Sequence, residues 1–386
     1  MTDDWLSKKS ALLSQAKTLV LKIGSAVITN AQGLETDRMA HLAEQIVWLL
    51  SQTPDRRIIV VTSGAVAAGR CLLRTMHLPQ ESHLSARQAL AAIGQAQLMQ
   101  AWDHVFRPHN KAIAQVLLTR DAIQARKHFL NIRNTFAELM TLGVIPIVNE
   151  NDTVSVQELT FGDNDSLASL LANLVHADLF VNLTQAEGVL AENPQKNPHA
   201  TVLSHIDAIE HLDIAGICGG KSTVGTGGMY SKLRAARRCA QLGVPTLIVP
   251  GTRHNVLKDA FAPQSTLGTF ISAKPPTLSQ RKYWLAYQSD PQGTLLVDDG
   301  CAKAILDEGG SLLPGGILEV TGVFPKGALV CVRSNNEEIA VGLTNYASSD
   351  IKTIKGLKRH EVAAILGDAH YPEVIHRDNM VLHAVL

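Results

Sequence analysis

Thr18-Leu19-Val20-Leu21-Lys22-Ile23-Gly24-Ser25 is the stretch on which the reading of this chain turns. Its apolar residues form a short run of the kind expected for a buried parallel strand. Lys22 stands in the last positions of that run, where its charge must find a partner or solvent. Gly24 and Ser25 follow at once and supply a flexible turn with free backbone N–H groups, a combination that suits a phosphate. The same pattern fits a lysine that snorkels off the strand end, and this segment alone does not separate the two.

Outward from this point the pattern repeats. Further strand-like runs are Arg57–Thr62, Ala112–Leu118, Val144–Asn149, Asp178–Leu183 and Pro245–Val249. Helical patterns lie between them. One starts at Thr36-Asp37, read as a cap, with Met39, Leu42, Ile46 and Leu49 at helical spacing; others cover Ser85–Phe106, Lys127–Thr141, Ser166–Val175 and Met229–Leu242. Strand–helix alternation predicts a mainly parallel sheet with helices on both faces, an α/β class. Ligands in such sheets bind beyond the carboxyl ends of the strands.

The pattern breaks over residues 275–292, around Lys274-Pro275-Pro276 and Asp290-Pro291-Gln292-Gly293. Beyond it, short strands at Thr294–Val297, Ile317–Val323, Ala328–Val332 and Ile339–Leu343, with one helical piece at Cys301–Glu308, predict a small, mostly β module over 293–386. The main domain is then 17–274, and residues 1–16 read as a short helix or a frayed leader.

Composition excludes several classes. The chain has 386 residues, 46% of them hydrophobic and 18% charged, which is globular and long enough for two domains. Lys+Arg and Asp+Glu are both 35, so no global basic field points to nucleic acid or an anionic membrane. Five scattered cysteines without a C-x-x-C pair read as reduced thiols of a cytoplasmic protein. No stretch is long enough to span a bilayer as a helix, and the first residues do not form a signal peptide.

Three further segments carry chemistry. Val61-Thr62-Ser63-Gly64-Ala65 ends a strand and opens a helix, whose N-terminus favours an anion. Asn149-Glu150-Asn151-Asp152 closes a strand, and Gly162-Asp163-Asn164-Asp165 follows; carboxylates and amides there can hold an ammonium, orient lysines or help place Mg²⁺. A solvated acidic loop with Asx turns would look similar. Gly219 to Gly228 holds five glycines before a helix that begins at Met229 and carries Ser231 and Lys232 in its first turn. A lysine there is unfavourable toward the helix dipole unless an anion lies close. Ala215 to Ser222 nearly matches a P-loop, but Gly225, Gly227 and Gly228 follow where a P-loop needs a helix.

Taken in order, Val20–Ser25, Val61–Gly69, Leu117–Arg120, Asn149–Asp152, Gly162–Asp165 and Gly225–Lys232 resemble the amino acid kinase family, in its glutamate-phosphorylating branch. The tail from residue 293 resembles a PUA domain. The resemblance implies a three-layer α/β/α kinase domain that makes γ-glutamyl phosphate from ATP and L-glutamate with Mg²⁺, the first step of proline biosynthesis. It implies catalytic roles for Lys22, Lys232 and Asp165, with Asp165 orienting the two lysines. Ser63, Gly64, Asp152 and Asn164 would hold glutamate. Lys22, Thr184, Gln185, Thr226, Gly227, Gly228, Met229, Tyr230, Ser231 and Lys232 would line the nucleotide site. It further implies a homo-oligomer and free proline as feedback inhibitor. The chain departs from the family pattern where Gln185 follows Thr184 in place of Asp, at Gly24-Ser25-Ala26, and at Tyr230.

The ionised glutamate side chain is already a nucleophile, so the enzyme's work is alignment and charge neutralisation. The alternatives are a kinase of the same fold with another carboxylate or phosphate acceptor, and an RNA-binding regulatory protein. The latter is disfavoured because residues 291–386 hold 8 Lys+Arg against 12 Asp+Glu, a net charge of −4.

Overall fold

The computed structural model describes residues 3–78, 83–124, 126–154, 164–193, 197, 199–218, 228–275, 291–335, 337–366 and 371–382. The chain divides into two compact units, Met1–Thr277 and Leu278–Leu386.

The first unit is built on an eight-stranded sheet: β1 (Thr18–Ile23), β2 (Arg57–Thr62), β3 (Ile113–Leu118), β4 (Ile145–Glu150), β5 (Leu179–Thr184), β6 (His205–Ile206), β7 (Thr246–Pro250) and β8 (Thr269–Ile271). The spatial order is β3-β4-β2-β1-β5-β7-β8-β6. The first six strands of that order pair in parallel; β8 runs antiparallel to β7, and β6 is parallel to β8. The helices that matter below are α1 (Asp3–Gln15), α2 (Thr36–Gln52), α3 (Ala65–Thr75), α4 (Leu84–Phe106), α5 (Asn164–Leu174) and α6 (Met229–Gln241).

Side chains alternate across a strand, so β1 feeds two different layers. Leu19, Leu21 and Ile23 enter one core with Met39, Leu42, Ile46 and Leu49 of α2 and Leu98, Trp102 and Phe106 of α4. Val20 and Lys22 therefore face the opposite layer. In register Lys22 lies between Val61 of β2 and Asn182 of β5, so Asn182 shares its face. On the far side of the sheet centre a second apolar cluster joins Ile206, Ile248 and Ile271 to Leu233 and Ala236 of α6.

The strand bounds expected from the sequence agree with the structure within a residue or two, but other elements differ. Of the two readings of the leader, the short helix is the one found. It is helix α1, with Leu13 in the main core and Trp5 stacked on His205 at 4.7 Å. Lys9 of this helix is buried, donates to the Ser265 carbonyl at 2.7 Å, and has its pKa lowered by burial to about 8. The cap read at Thr36-Asp37 is not a side-chain cap: Glu35 is the N-cap residue without a side-chain hydrogen bond, and it pairs with Arg38 at 2.8 Å. Strands β6 and β8 have two and three residues, too short to leave a periodic signal.

Helices α3 and α4 meet backbone to backbone. A Cβ on Gly94 would lie 1.8 Å from the Ala65 carbonyl oxygen, and one on Gly69 would lie 2.0 Å from that of Leu90. Two glycines therefore set how deeply α3 seats, and Ala65 is its first residue.

The second unit holds a five-stranded sheet of β9 (Thr294–Val297), β10 (Ile317–Thr321), β11 (Leu329–Ser334), β12 (Glu337–Leu343) and β13 (Met380–Leu382), ordered β10-β9-β11-β12-β13. Its own core includes Leu295, Ile305, Val330, Val332 and Ile351. Helices Ser348–Ile354 and Arg359–Leu366, not expected from the sequence, belong to the same unit. All five cysteines are free thiols, and no helix among the described residues is long and apolar enough to cross a membrane.

Gly94→Ala is expected to destabilise the chain by about 2–3 kcal/mol, because the clash is with backbone that cannot rotate away. Guanidinium unfolding checks this, and a change under 0.5 kcal/mol, on the order of an ordinary surface substitution, would contradict it.

Candidate active site

A cavity of about 360 Å³ opens at the carboxyl ends of β1, β2, β4 and β5, as expected for an open α/β sheet. Its lining includes Lys22, Gly24–Val27, Ser63–Ala67, Arg87, Asn149, Glu150, Asp152, Asn164, Thr184, Gln185 and Lys232.

At its floor lies one carboxylate. Asp165, in the first turn of α5, is wholly buried. Its Oδ1 receives the Lys22 ammonium at 2.6 Å and the Asn182 amide at 2.9 Å. Its Oδ2 receives the Ser231 hydroxyl at 2.7 Å and the Lys232 ammonium at 3.1 Å. Lys22 and Lys232 are only 4% and 5% exposed, so this is an interior charge triad with a net charge of about +1. Burial is the largest single influence on Asp165 and opposes its ionisation. The charges of Lys22 and Lys232 and the bonds from Lys22 and Ser231 together outweigh it, and the carboxyl is held well below the usual carboxylate range. The triad also answers the puzzle of a lysine near a helix N-terminus: Lys232 faces Asp165 across the start of α6.

Beside the triad runs a chain of amides. Asn149 Nδ2 donates to Gln95 Oε1 of α4 at 2.9 Å. Asn164 Nδ2 lies 3.1 Å from Asn149 Oδ1, 2.8 Å from Ser63 Oγ and 3.1 Å from the Thr62 carbonyl. The donors of Asn164 are thereby engaged, while its Oδ1 has no partner among the described residues and is shielded from solvent. A substrate donor such as an ammonium would relieve that cost. Asp152, half-buried in the turn after β4, has its carboxyl pKa raised by burial, with Arg87 pulling partly the other way.

Two helix starts face the cavity. Gly64 has φ 108°, a left-handed conformation that favours glycine, and serves as N-cap of α3. The helix bond from Ala68 N–H to the Gly64 carbonyl leaves the earlier N–H groups of α3 without helical partners. Gly24 precedes the short helical turn Ser25–Ile28, and its N–H donates to the Leu183 carbonyl at 3.1 Å. Gln185 Nε2 donates to the Ala26 carbonyl at 3.2 Å, so the residue that replaces the family's Asp ties the end of β5 to this turn.

The structure thus brings together Lys22, Ser63, Gly64, Asp152, Asn164, Asp165, Thr184, Gln185, Ser231 and Lys232. Gly228 is the N-cap of α6. Met229 and Tyr230 pack against the apolar cluster of β6–β8 and α6, and Tyr230 carries Arg234 over its ring at 5.9 Å; neither lines the cavity. Thr226, Gly227 and Asp163 lie outside the described residues. Sequence reasoning missed Arg87, Gln95 and Asn182. Asn182 carried a readable signal, a polar residue inside an apolar strand, as Lys22 did; Arg87 and Gln95 sit in an ordinary helical pattern.

Among the described residues no group of three or more His, Cys, Asp or Glu is arranged to hold a metal, and both oxygens of Asp165 are engaged by donors.

Comparison with known proteins follows the same division. The amino acid kinase family model matches residues 17–250, and the PUA domain model matches residues 293–366. The chain is similar to the glutamate 5-kinase of Nitratidesulfovibrio vulgaris strain Hildenborough, at 53% identity over 384 residues, covering 99% of this chain and 100% of that one. It is 50% identical to the glutamate 5-kinase of Oleidesulfovibrio alaskensis over 384 residues, with 99% and 100% covered. The glutamate 5-kinase of Geobacter sulfurreducens is 43% identical over 378 residues, with 97% and 100% covered.

Asp165→Asn leaves two buried ammonium groups without their anion, and is expected to cost about 3–5 kcal/mol at neutral pH. A carboxyl whose folded pKa is depressed contributes stability that is present above its unfolded value of 3.8 and is lost as pH falls through the folded value. The gap between wild type and variant should therefore narrow below pH 3.8. Denaturant unfolding at a series of pH values checks both; a gap that does not change with pH would contradict the ion-pair origin.

Proposed function

The chain belongs to the amino acid kinase family, and we propose from that premise that it transfers the γ-phosphate of ATP to the γ-carboxylate of L-glutamate, yielding γ-glutamyl phosphate. The observation that carries this reading is the Lys22–Asp165–Lys232 triad at the floor of a cavity whose lining runs across four adjacent strands. Asp152 follows β4, Ser63 and Gly64 follow β2, Lys22 lies at the end of β1, and Thr184 and Gln185 end and follow β5. At ~4.8 Å per strand, the span from β4 to β5 is about 14 Å, room for an amino acid and a phosphate chain end to end.

Each part then has a task. Glutamate lies toward β4, with its ammonium at Asp152 and Asn164 Oδ1 and a hydroxyl donor from Ser63. The N-terminus of α3 favours negative charge where the carboxylate approaches the phosphoryl group. Lys22 and Lys232 meet the phosphoryl oxygens as charge shifts from nucleophile to leaving group. Asp165 keeps them in place. The nucleotide lies toward β5, by Thr184, Gln185 and the start of α6. Mg²⁺ fits this site only as a companion of the ATP phosphates, because the described residues supply no cage of their own; when bound it offsets phosphate charge.

The carboxylate needs no general base, so mutation should separate chemistry from binding. Lys22→Ala and Lys232→Ala are each expected to lower kcat by about 10²-fold or more with the Kd for glutamate little changed. Asp152→Asn should instead raise KM for glutamate. In the wild type, kcat/KM for glutamate should fall on the acid side at a pH above the ordinary aspartate range, since the raised Asp152 pKa means its charge is lost early as pH drops. Production of γ-hydroxamate from Mg-ATP, glutamate and hydroxylamine measures all of these. Normal kcat in either lysine variant, or an unchanged KM in Asp152→Asn, would contradict the assignments.

Free proline shares the α-carboxylate and ammonium of glutamate but lacks the reacting carboxylate. It is expected to compete with glutamate at the β4 end, and rates insensitive to millimolar proline would remove this part of the reading. Steps of proline synthesis would consume the acyl phosphate in a cytoplasmic setting.

A further inference from the structure

The cavity holds a third cation to which the reaction as described gives no task. Arg87, in the first turn of α4, lines the same cavity as Asp152 and is half-buried. Its backbone N–H bonds the His83 carbonyl within the helix, and its guanidinium has no hydrogen bond or ion pair among the described residues. Yet its charge acts on Asp152, whose carboxyl it stabilises against the larger effect of burial. The two opposite charges thus lie near each other across one cavity without closing on each other. An unpaired guanidinium inside a cavity is poised for a planar anion, which it can bind through two parallel N–H donors.

We propose that Arg87 and Asp152 form a clamp that reads the α-carbon of the substrate as a zwitterion, Arg87 taking the α-carboxylate and Asp152 the ammonium. This rests on glutamate being the acceptor, and it names what makes the site select an α-amino acid over a plain dicarboxylate or a plain amino-carboxylate. Lys22 and Lys232 are both held by Asp165 on α5, so the phosphoryl end has its cations already. Arg87 and Asp152 come from α4 and the turn after β4, the end farthest across the sheet from Thr184 on β5. With both α-carbon charges fixed there, the side chain can extend only toward β2 and β1, which presents its γ-carboxylate to the triad. A clamp of this kind makes Arg87 a specificity-determining residue, and its loss should appear in binding rather than in the chemical step.

Two analogues separate the halves of the clamp. Glutarate keeps both carboxylates and lacks the ammonium; 4-aminobutanoate keeps the ammonium and lacks the α-carboxylate. Their inhibition constants against glutamate are measured for wild type, Arg87→Met, Arg87→Lys and Asp152→Asn in the hydroxamate assay. Arg87→Met should raise KM for glutamate and the inhibition constant of glutarate by about 30-fold, the loss of one charge-assisted pair. It should leave 4-aminobutanoate within about threefold, because that ligand never used the contact. Asp152→Asn should do the reverse, and Arg87→Lys should fall between wild type and Arg87→Met for glutarate. Equal weakening of both analogues by Arg87→Met, or a fall in kcat with KM unchanged, would overturn the clamp and move Arg87 to the phosphoryl group. If wild type forms no hydroxamate with glutamate at all, the acceptor reading itself fails, before any variant is compared.

Discussion

A single buried carboxylate organises this molecule. Asp165 gathers two lysines that the chain supplies from places 210 residues apart, at the end of β1 and at the start of α6. Two buried ammonium groups would repel each other without an anion between them. The carboxylate in turn could not stay ionised at this depth without them. The three groups therefore depend on one another, and their sum leaves about one positive charge beside the floor of the cavity. That excess suits transfer of a phosphoryl group between two oxygen anions, where most of the barrier lies in bringing negative charges together.

The fold fixes where that charge sits. Pairing of β1 between β2 and β5 puts Lys22 and Asn182 side by side on one face, and α5 delivers Asp165 to both. The glycine contact between α3 and α4 seats the N-terminus of α3 at the mouth of the same cavity, and α4 brings Gln95 and Arg87 with it. The helix crossing and the amide chain from Gln95 through Asn149 to Asn164 thus belong to one arrangement.

Much of this was legible in the sequence, for physical reasons that differ by residue. A lysine in an apolar strand and a lysine after a glycine-rich loop both break a local rule, and both lie in the triad. Strand–helix alternation gave the sheet, because buried parallel strands leave continuous apolar runs. Asn182 breaks the same rule as Lys22 and was readable in principle. Arg87 and Gln95 break none: a polar residue on a long helix is ordinary, and only the tertiary placement of α4 brings Arg87 to the cavity and Gln95 to Asn149. Strands of two or three residues such as β6 and β8 cannot show a period. The leader stayed open between a short helix and a frayed tail for another reason, since α1 is held by packing of Leu13 and Trp5 that its weak amphipathic pattern does not reveal.

The central claim is that Asp165 acts through the lysines it holds, and a double-mutant cycle between Asp165 and Lys22 tests it most directly. Turnover at saturating ATP and glutamate is measured for Asp165→Asn, Lys22→Met and the pair together. If Asp165 serves to place Lys22, then removing the lysine after the carboxylate is gone should cost little more, and the double variant should stay within about tenfold of Asp165→Asn alone. Losses that multiply, about 10²-fold for each change and about 10⁴-fold together, would mean that the two residues act independently and that the triad is not the unit described.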